Sequence, residues 1–254
     1  YVQKTGNTPL IVAIMNENFE IAKLLIEFPQ TNINISNFDN ETALTIAVDR
    51  KLSQIVDLII HNDKFDPKES RLDYAFYNSC NEISRQLLTL KSLDVNYKNV
   101  NFKNRGLHKE DTTNETIKYD TKLTTTVLSN DNELIGLIIQ HPSFDEIKSN
   151  LNTAIFHTVR ENKIDLFKQL INKKNDVNIF KNDLSLLCFA VKVRNQEIIN
   201  EILFNEYFDS QKSNILRAFL LSFPSVEYMN IIYNFDKDHE KVINFKELLP
   251  DTYT

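Results

Sequence analysis

The six residues Thr8-Pro9-Leu10-Ile11-Val12-Ala13 return as Thr42-Ala43-Leu44-Thr45-Ile46-Ala47, 34 positions further on. A chain that repeats itself at a period of roughly 20–50 residues is a stack of supersecondary units, because one such unit cannot bury its apolar face alone. The leucine of the motif carries the register onward as Leu10, Leu44, Leu72, Leu123, Ile155 and Leu187, at spacings of 34, 28, 51, 32 and 32. Three residues past each anchor sits a short side chain, Ala13, Ala47, Ala75, Thr126, Thr158 or Ala190, where two helices can approach closely. Eleven past it comes an aliphatic: Ile21, Ile55, Ile83, Leu134, Leu166 and Ile198.

The ends of the units repeat as well: Asn32-Ile33-Asn34, Phe65-Asp66, Asp94-Val95-Asn96, Phe144-Asp145, Asp176-Val177-Asn178, Phe208-Asp209 and Phe235-Asp236. With Gly6-Asn7-Thr8-Pro9-Leu10, the paired Leu24-Leu25 and the exit Asp94-Val95-Asn96, the chain resembles the ankyrin repeat family. The resemblance implies an all-α solenoid of stacked helix-turn-helix repeats joined by short hairpin-like turns. Six units and a seventh, degraded one fill residues 1–236, and residues 237–254 form a tail or a truncated repeat. Tyr1 falls inside a recognisable turn, which predicts a segment of a longer protein.

Departures from the family pattern remove devices that normally fix its backbone. Its glycine between the two helices falls on Glu17, Lys51, Ser79, Asn130, Asn162 and Arg194, of which Asn130 and Asn162 best tolerate a left-handed conformation. Its buried histidine is replaced by Ile11, Thr45, Asp73, Thr124, Phe156 and Cys188, so stability should rest on apolar stacking. In the first unit, helices are expected over roughly Thr8 to Met15 and Phe19 to Phe28, with Leu10, Ala13 and Ile14 facing Ile21, Leu24 and Leu25. Thr8 and Thr42 are helix caps, and Pro9 suits a first helical turn. Leu216 to Phe235 matches poorly and reads as a capping or degraded unit.

The 51-residue spacing from Leu72 to Leu123 exceeds a repeat by about 18 residues. The excess lies in the polar stretch Tyr97 to Asp120, a loop insertion that is either tolerated at an exposed hairpin or part of a binding face.

Catalytic chemistry finds no support. His61, His108, His141, His157 and His239 fall in different units or tails, and Cys80 and Cys188 stand apart from any metal-ligand spacing. Neither a catalytic residue, a metal site nor a cofactor is expected, and three glycines cannot build a phosphate loop. A net charge of −6 disfavours nucleic acid, and no apolar run is long enough to span a membrane. Two distant cysteines fit a reducing compartment, cytoplasmic or nuclear, with both thiols acting as small buried hydrophobes.

The resemblance therefore implies a protein-binding scaffold that presents its turn tips and the ends of its first helices along a concave surface; a monomer is expected, though no residue pattern fixes the oligomeric state. The tips are Asn37, Phe38, Asp39, Asn99, Val100, Phe180, Lys181 and Asn182. The helix ends are Met15, Asn16, Asp49, Arg50, Tyr77, Asn78, Leu128, Ser129, Arg160, Glu161, Lys192 and Val193. Tyr77, Arg50 and Arg160 stand out, since aromatic and arginine side chains dominate binding hot spots. The alternative is a regulatory spacer or modification substrate. Leu88 with Asp94-Val95-Asn96, and Leu170 with Asp176-Val177-Asn178, resemble the pattern recognised by asparaginyl hydroxylases acting on ankyrin repeats. That makes Asn96 and Asn178 candidate acceptors, whereas in the family this asparagine bonds the turn backbone.

Overall fold

The computed structural model describes residues 5–98, 121–223 and 225–238. The chain divides into two compact units, Tyr1–Asn150 and Leu151–Thr254. Among the described residues, the first contains four helix-turn-helix pairs: α1 (Pro9–Met15) with α2 (Phe19–Glu27), α3 (Ala43–Asp49) with α4 (Ser53–Ile60), α5 (Leu72–Asn78) with α6 (Asn81–Leu87), and α7 (Lys122–Ser129) with α8 (Asn132–Gln140). The second contains α9 (Leu151–Arg160) with α10 (Ile164–Lys174), then the antiparallel strands β1 (Phe180–Lys181) and β2 (Leu184–Ser185). It continues with α11 (Leu186–Val193) and α12 (Gln196–Leu203), then α13 (Ile215–Ser222) and α14 (Val226–Asp238). The stretch expected to be degraded thus forms a further helix pair.

Within the first unit, α1, α3 and α5 pack in one row and α2, α4, α6 and α8 in another. The second unit repeats this with α9, α11 and α13 against α10, α12 and α14. Each is an all-α solenoid of stacked repeats. All six register anchors and all six short side chains behind them are buried. The second helix of the first repeat departs from the expected facing. Ile21 is 49% exposed and Leu24 67%, while Ala22 and Ile26 are buried. Ile55, at the position of α4 equivalent to Ile21, is buried where α4 packs on α2, and among the described residues no helix precedes α1 to cover Ile21.

Two kinds of junction alternate along the chain. Thr42, Thr121 and Ser185 cap α3, α7 and α11, as Thr8 caps α1, by accepting the N–H three residues on at 3.2–3.5 Å. The first helices α5, α9 and α13 instead follow an Asp-x-x-x-Ser turn. The Asp66, Asp145 and Asp209 carboxylates each accept two backbone N–H groups of the turn. The serine is followed by Arg71, Asn150 or Asn214 in a left-handed conformation, φ 58°, 57° and 54°. Among the described residues, hairpin tips follow α2 and α10, the isolated bridge Lys98–Thr121 marks the junction after α6, and the Asp-x-x-x-Ser turn occupies the junctions between them, so the junction type repeats every second unit.

The glycine-free turns between helices keep the left-handed geometry at Glu17, Lys51, Asn130, Asn162 and Arg194, with φ between 55° and 62°. Ser79, at φ −68°, is the departure. Its hydroxyl donates to the Phe76 carbonyl at 2.7 Å, and its own carbonyl accepts from the Lys122 ammonium.

Candidate partner-binding surface

The repeated geometry of the stack comes from three asparagines that reach into the following repeat. Asn34 Oδ1 accepts from the Asp66 N–H (3.1 Å) and the Ser70 hydroxyl (2.6 Å), and its Nδ2 donates to the Lys64 carbonyl (2.8 Å). Asn96 makes the same three bonds to Asp145, Ser149 and Ser143, and Asn178 to Asp209, Ser213 and Tyr207. Both candidate acceptors therefore have each end of their amide engaged with the next repeat, and each Nδ2 also donates to the aspartate of its own turn, Asp94 at 2.7 Å or Asp176 at 3.1 Å. His141 joins this framework, with Nδ1 at 2.9 Å from Ser143 Oγ and Nε2 at 3.2 Å from the Leu90 carbonyl.

At the first tip, Asn37 is a structural residue. Only 6% exposed, it donates to Asn7 and Glu41 side chains and accepts the Asp39 and Glu41 N–H groups. Its expected role as a partner contact is corrected by this burial. Phe38 is 74% exposed on one face, and its other face covers Gly6 at φ +68°, where a Cβ would meet the ring at 2.8 Å. Asp39 is exposed. The third tip carries Phe180, 46% exposed, and Lys181 on β1, with Asn182 exposed at the bend. Arg71 and Arg217 brace the two tips from the following first-helix row by donating to the Asn40 and Asp183 carbonyls. Lys98 and Thr121 pair as an isolated antiparallel bridge, as Phe180 pairs with Ser185 at the third tip, so the insertion opens at a hairpin position. Asn99, Val100 and the rest of 99–120 lie outside the described residues.

Among the first-helix ends of the first unit, Arg50 pairs with Glu17 of the preceding repeat at 3.2 Å. Asp49, Leu128 and Ser129 are exposed. Tyr77 belongs to an aromatic cluster: Tyr97 meets Tyr77 at 6.2 Å and Tyr74 at 6.4 Å, both edge-on, and Arg71 lies over Tyr74 at 4.3 Å. Asn78 donates to the Tyr74 carbonyl at 2.8 Å. Burial raises the Tyr97 phenol and the Asp73 carboxyl above their ordinary values. Tyr74, Tyr97 and Arg71 were not legible as site residues, because only the fold brings the exit of a repeat beside its own first helix.

In the second unit, Arg160 Nη2 donates to His157 Nδ1 at 2.7 Å and its Nε to Glu161 at 3.0 Å. Burial, then the charges of Arg160 and Lys181, lower the His157 pKa to about 4, so the ring is neutral near pH 7. Lys192 is exposed one repeat further on.

Two side chains in the interior depart from the apolar expectation. Lys122 is buried over the Phe76 ring at 5.8 Å, and burial lowers its pKa to about 8. Cys188 is buried but Cys80 is only partly so, which corrects the reading of both thiols as buried. Among the described residues, no three His, Cys, Asp or Glu side chains are grouped to hold a metal, and no helix is long and apolar enough to cross a membrane.

Stacked helix pairs with capped first helices, alternate hairpin tips and side-chain clamps from repeat to repeat define a helical repeat protein. Residues 1–71 match the family model for ankyrin repeats in three copies, and this part of the chain is an ankyrin repeat array. It is similar to the I-Kappa-B like protein C2 of Microplitis demolitor bracovirus (isolate Webb), 40% identical over 60 residues. That match covers 24% of this chain and 33% of the relative, so the shared stretch spans about a third of the relative's length. Ankyrin repeats generally mediate protein–protein interaction, presenting extended surfaces assembled from successive units.

Proposed function

We propose that the chain is a non-catalytic protein-binding module that engages a partner protein through its hairpin tips and first-helix ends. The observation that carries this reading is the placement of Phe38, Arg50, Tyr77, Arg160, Phe180 and Lys192 in these positions while the clamp residues hold the backbone behind them. Aromatic and arginine side chains on a rigid scaffold supply binding energy at low entropic cost. The similarity of residues 1–71 to ankyrin repeats, and of a shorter stretch to an I-Kappa-B like protein, is consistent with such a role.

The test is capture from source-cell lysate with quantitative mass spectrometry, comparing the chain with an Arg50→Ala, Tyr77→Ala and Arg160→Ala variant shown by circular dichroism to fold equally. A stoichiometric protein held by the parent and lost by the variant supports the reading. Unchanged capture by the variant would move the site away from the first-helix ends.

A further inference from the structure

Resting on the protein-binding reading above, we infer that the face formed by the ends of α9 and α11 with β1 binds an acidic segment of the partner protein. Six residues build it: His157, Arg160, Phe180, Lys181, Phe189 and Lys192. Arg160 and Lys192 hold the same register, five residues past the anchors Ile155 and Leu187. Because α9 packs on α11, these two exposed cations stand on neighbouring helices of one row. β1 packs on α9 and brings Lys181 close enough for its charge to act on His157.

The Arg160 guanidinium is held on two sides, by the neutral His157 ring and by Glu161. A guanidinium carries five N–H donors, so others remain for an incoming carboxylate, and a side chain already fixed loses little freedom on binding. Phe180 is exposed, and Phe189 lies half-buried and edge-on to Phe156 at 5.2 Å, which puts apolar surface beside the cations. The acids nearby are Glu161, bonded to Arg160, and Asp183 at the bend of the hairpin.

Contrast with the rest of the chain decides the partner's charge. The same register row in the first unit is Met15, Asp49, Tyr77 and Leu128, without a cation, and the whole chain carries a net charge of −6. A cationic and aromatic row on an acidic protein selects a partner of complementary charge at short range. It does not offer the extended basic surface that a nucleic-acid backbone requires. An acidic peptide segment is therefore the occupant that the face fits.

The experiment titrates the full chain against a fluorescein-labelled peptide of alternating glutamate and phenylalanine, read by fluorescence anisotropy. A lysine-for-glutamate counterpart and a single-stranded oligothymidine run beside it. The acidic peptide should bind and weaken with added salt, and the lysine peptide should not bind. An Arg160→Glu, Lys192→Glu double variant of unchanged circular dichroism and Tm should lose about tenfold or more in affinity. Lys68→Glu, an exposed charge reversal in the Asp66–Ser70 turn of the first unit, should bind like the parent. The inference is overturned if the acidic peptide fails to bind, if the double variant binds it equally, or if oligothymidine binds more tightly. In each of these cases, lysate capture that still depends on Arg50 and Tyr77 would leave the protein-binding reading standing and remove the acidic segment alone.

Discussion

Single residues in this chain do two separable jobs, and pH distinguishes them. His157 takes up its proton in the folded chain only near pH 4, against an ordinary value of 6.5. The folded state therefore holds its full advantage above pH 6.5 and loses it as pH falls from 6.5 through 4. A thermal-melt series should show the parent losing Tm over that window relative to His157→Gln, and parallel curves would contradict the assignment. Lys122 has the corresponding effect on the alkaline side. Its ammonium is penalised by burial and titrates at about 8 instead of 10.5. Raising pH from 8 to 10.5 should stabilise the parent, whereas Lys122→Met should lack that rise in urea-unfolding midpoint. Asn96 is the clearest structural residue. Asn96→Ala leaves the Asp145 N–H, the Ser149 hydroxyl and the Ser143 carbonyl without their partner and should cost about 2 kcal/mol or more by urea unfolding. A loss of only a few tenths would mean that the clamp is dispensable.

At the scale of elements, the legible part was the helix-turn-helix register, because buried anchors and short side chains recur at fixed distances from a capping residue. Leu10 and Leu44 with Thr8 and Thr42 are the plainest cases. The alternation of junctions was visible only as a list of unit ends. That Asp66, Asp145 and Asp209 build one turn while Asn34, Asn96 and Asn178 bridge to it depends on contacts about 30 to 50 residues apart in sequence. Ile21 and Leu24 were misread because an apolar residue at helical spacing looks alike whether or not a neighbour covers it. Asn37 was misread because a polar residue at a tip can turn its side chain inward to hold the bend. The turns also carry a testable strain. Lys51 at φ 58° stands where glycine is unhindered, so Lys51→Gly should raise stability by roughly 1 kcal/mol. A destabilised variant would show that the Lys51 side chain contributes more than the backbone costs.

At the scale of the whole molecule, two solenoid units present tips and first-helix ends of different character: an aromatic cluster around Tyr77 and an exposed Phe38 in the first, and a cationic row from Arg160 to Lys192 in the second. Rigid clamps behind variable surface residues are what allow a repeat array to bind without refolding. Hydrogen exchange with mass spectrometry on the chain, free and bound to the partner recovered by capture, tests this account most directly. Protection should concentrate in the C-terminal halves of the first helices α3, α5, α9 and α11 and in residues 180–185, with the second helices α4, α10 and α12 unchanged. Protection confined to those second helices would contradict the account.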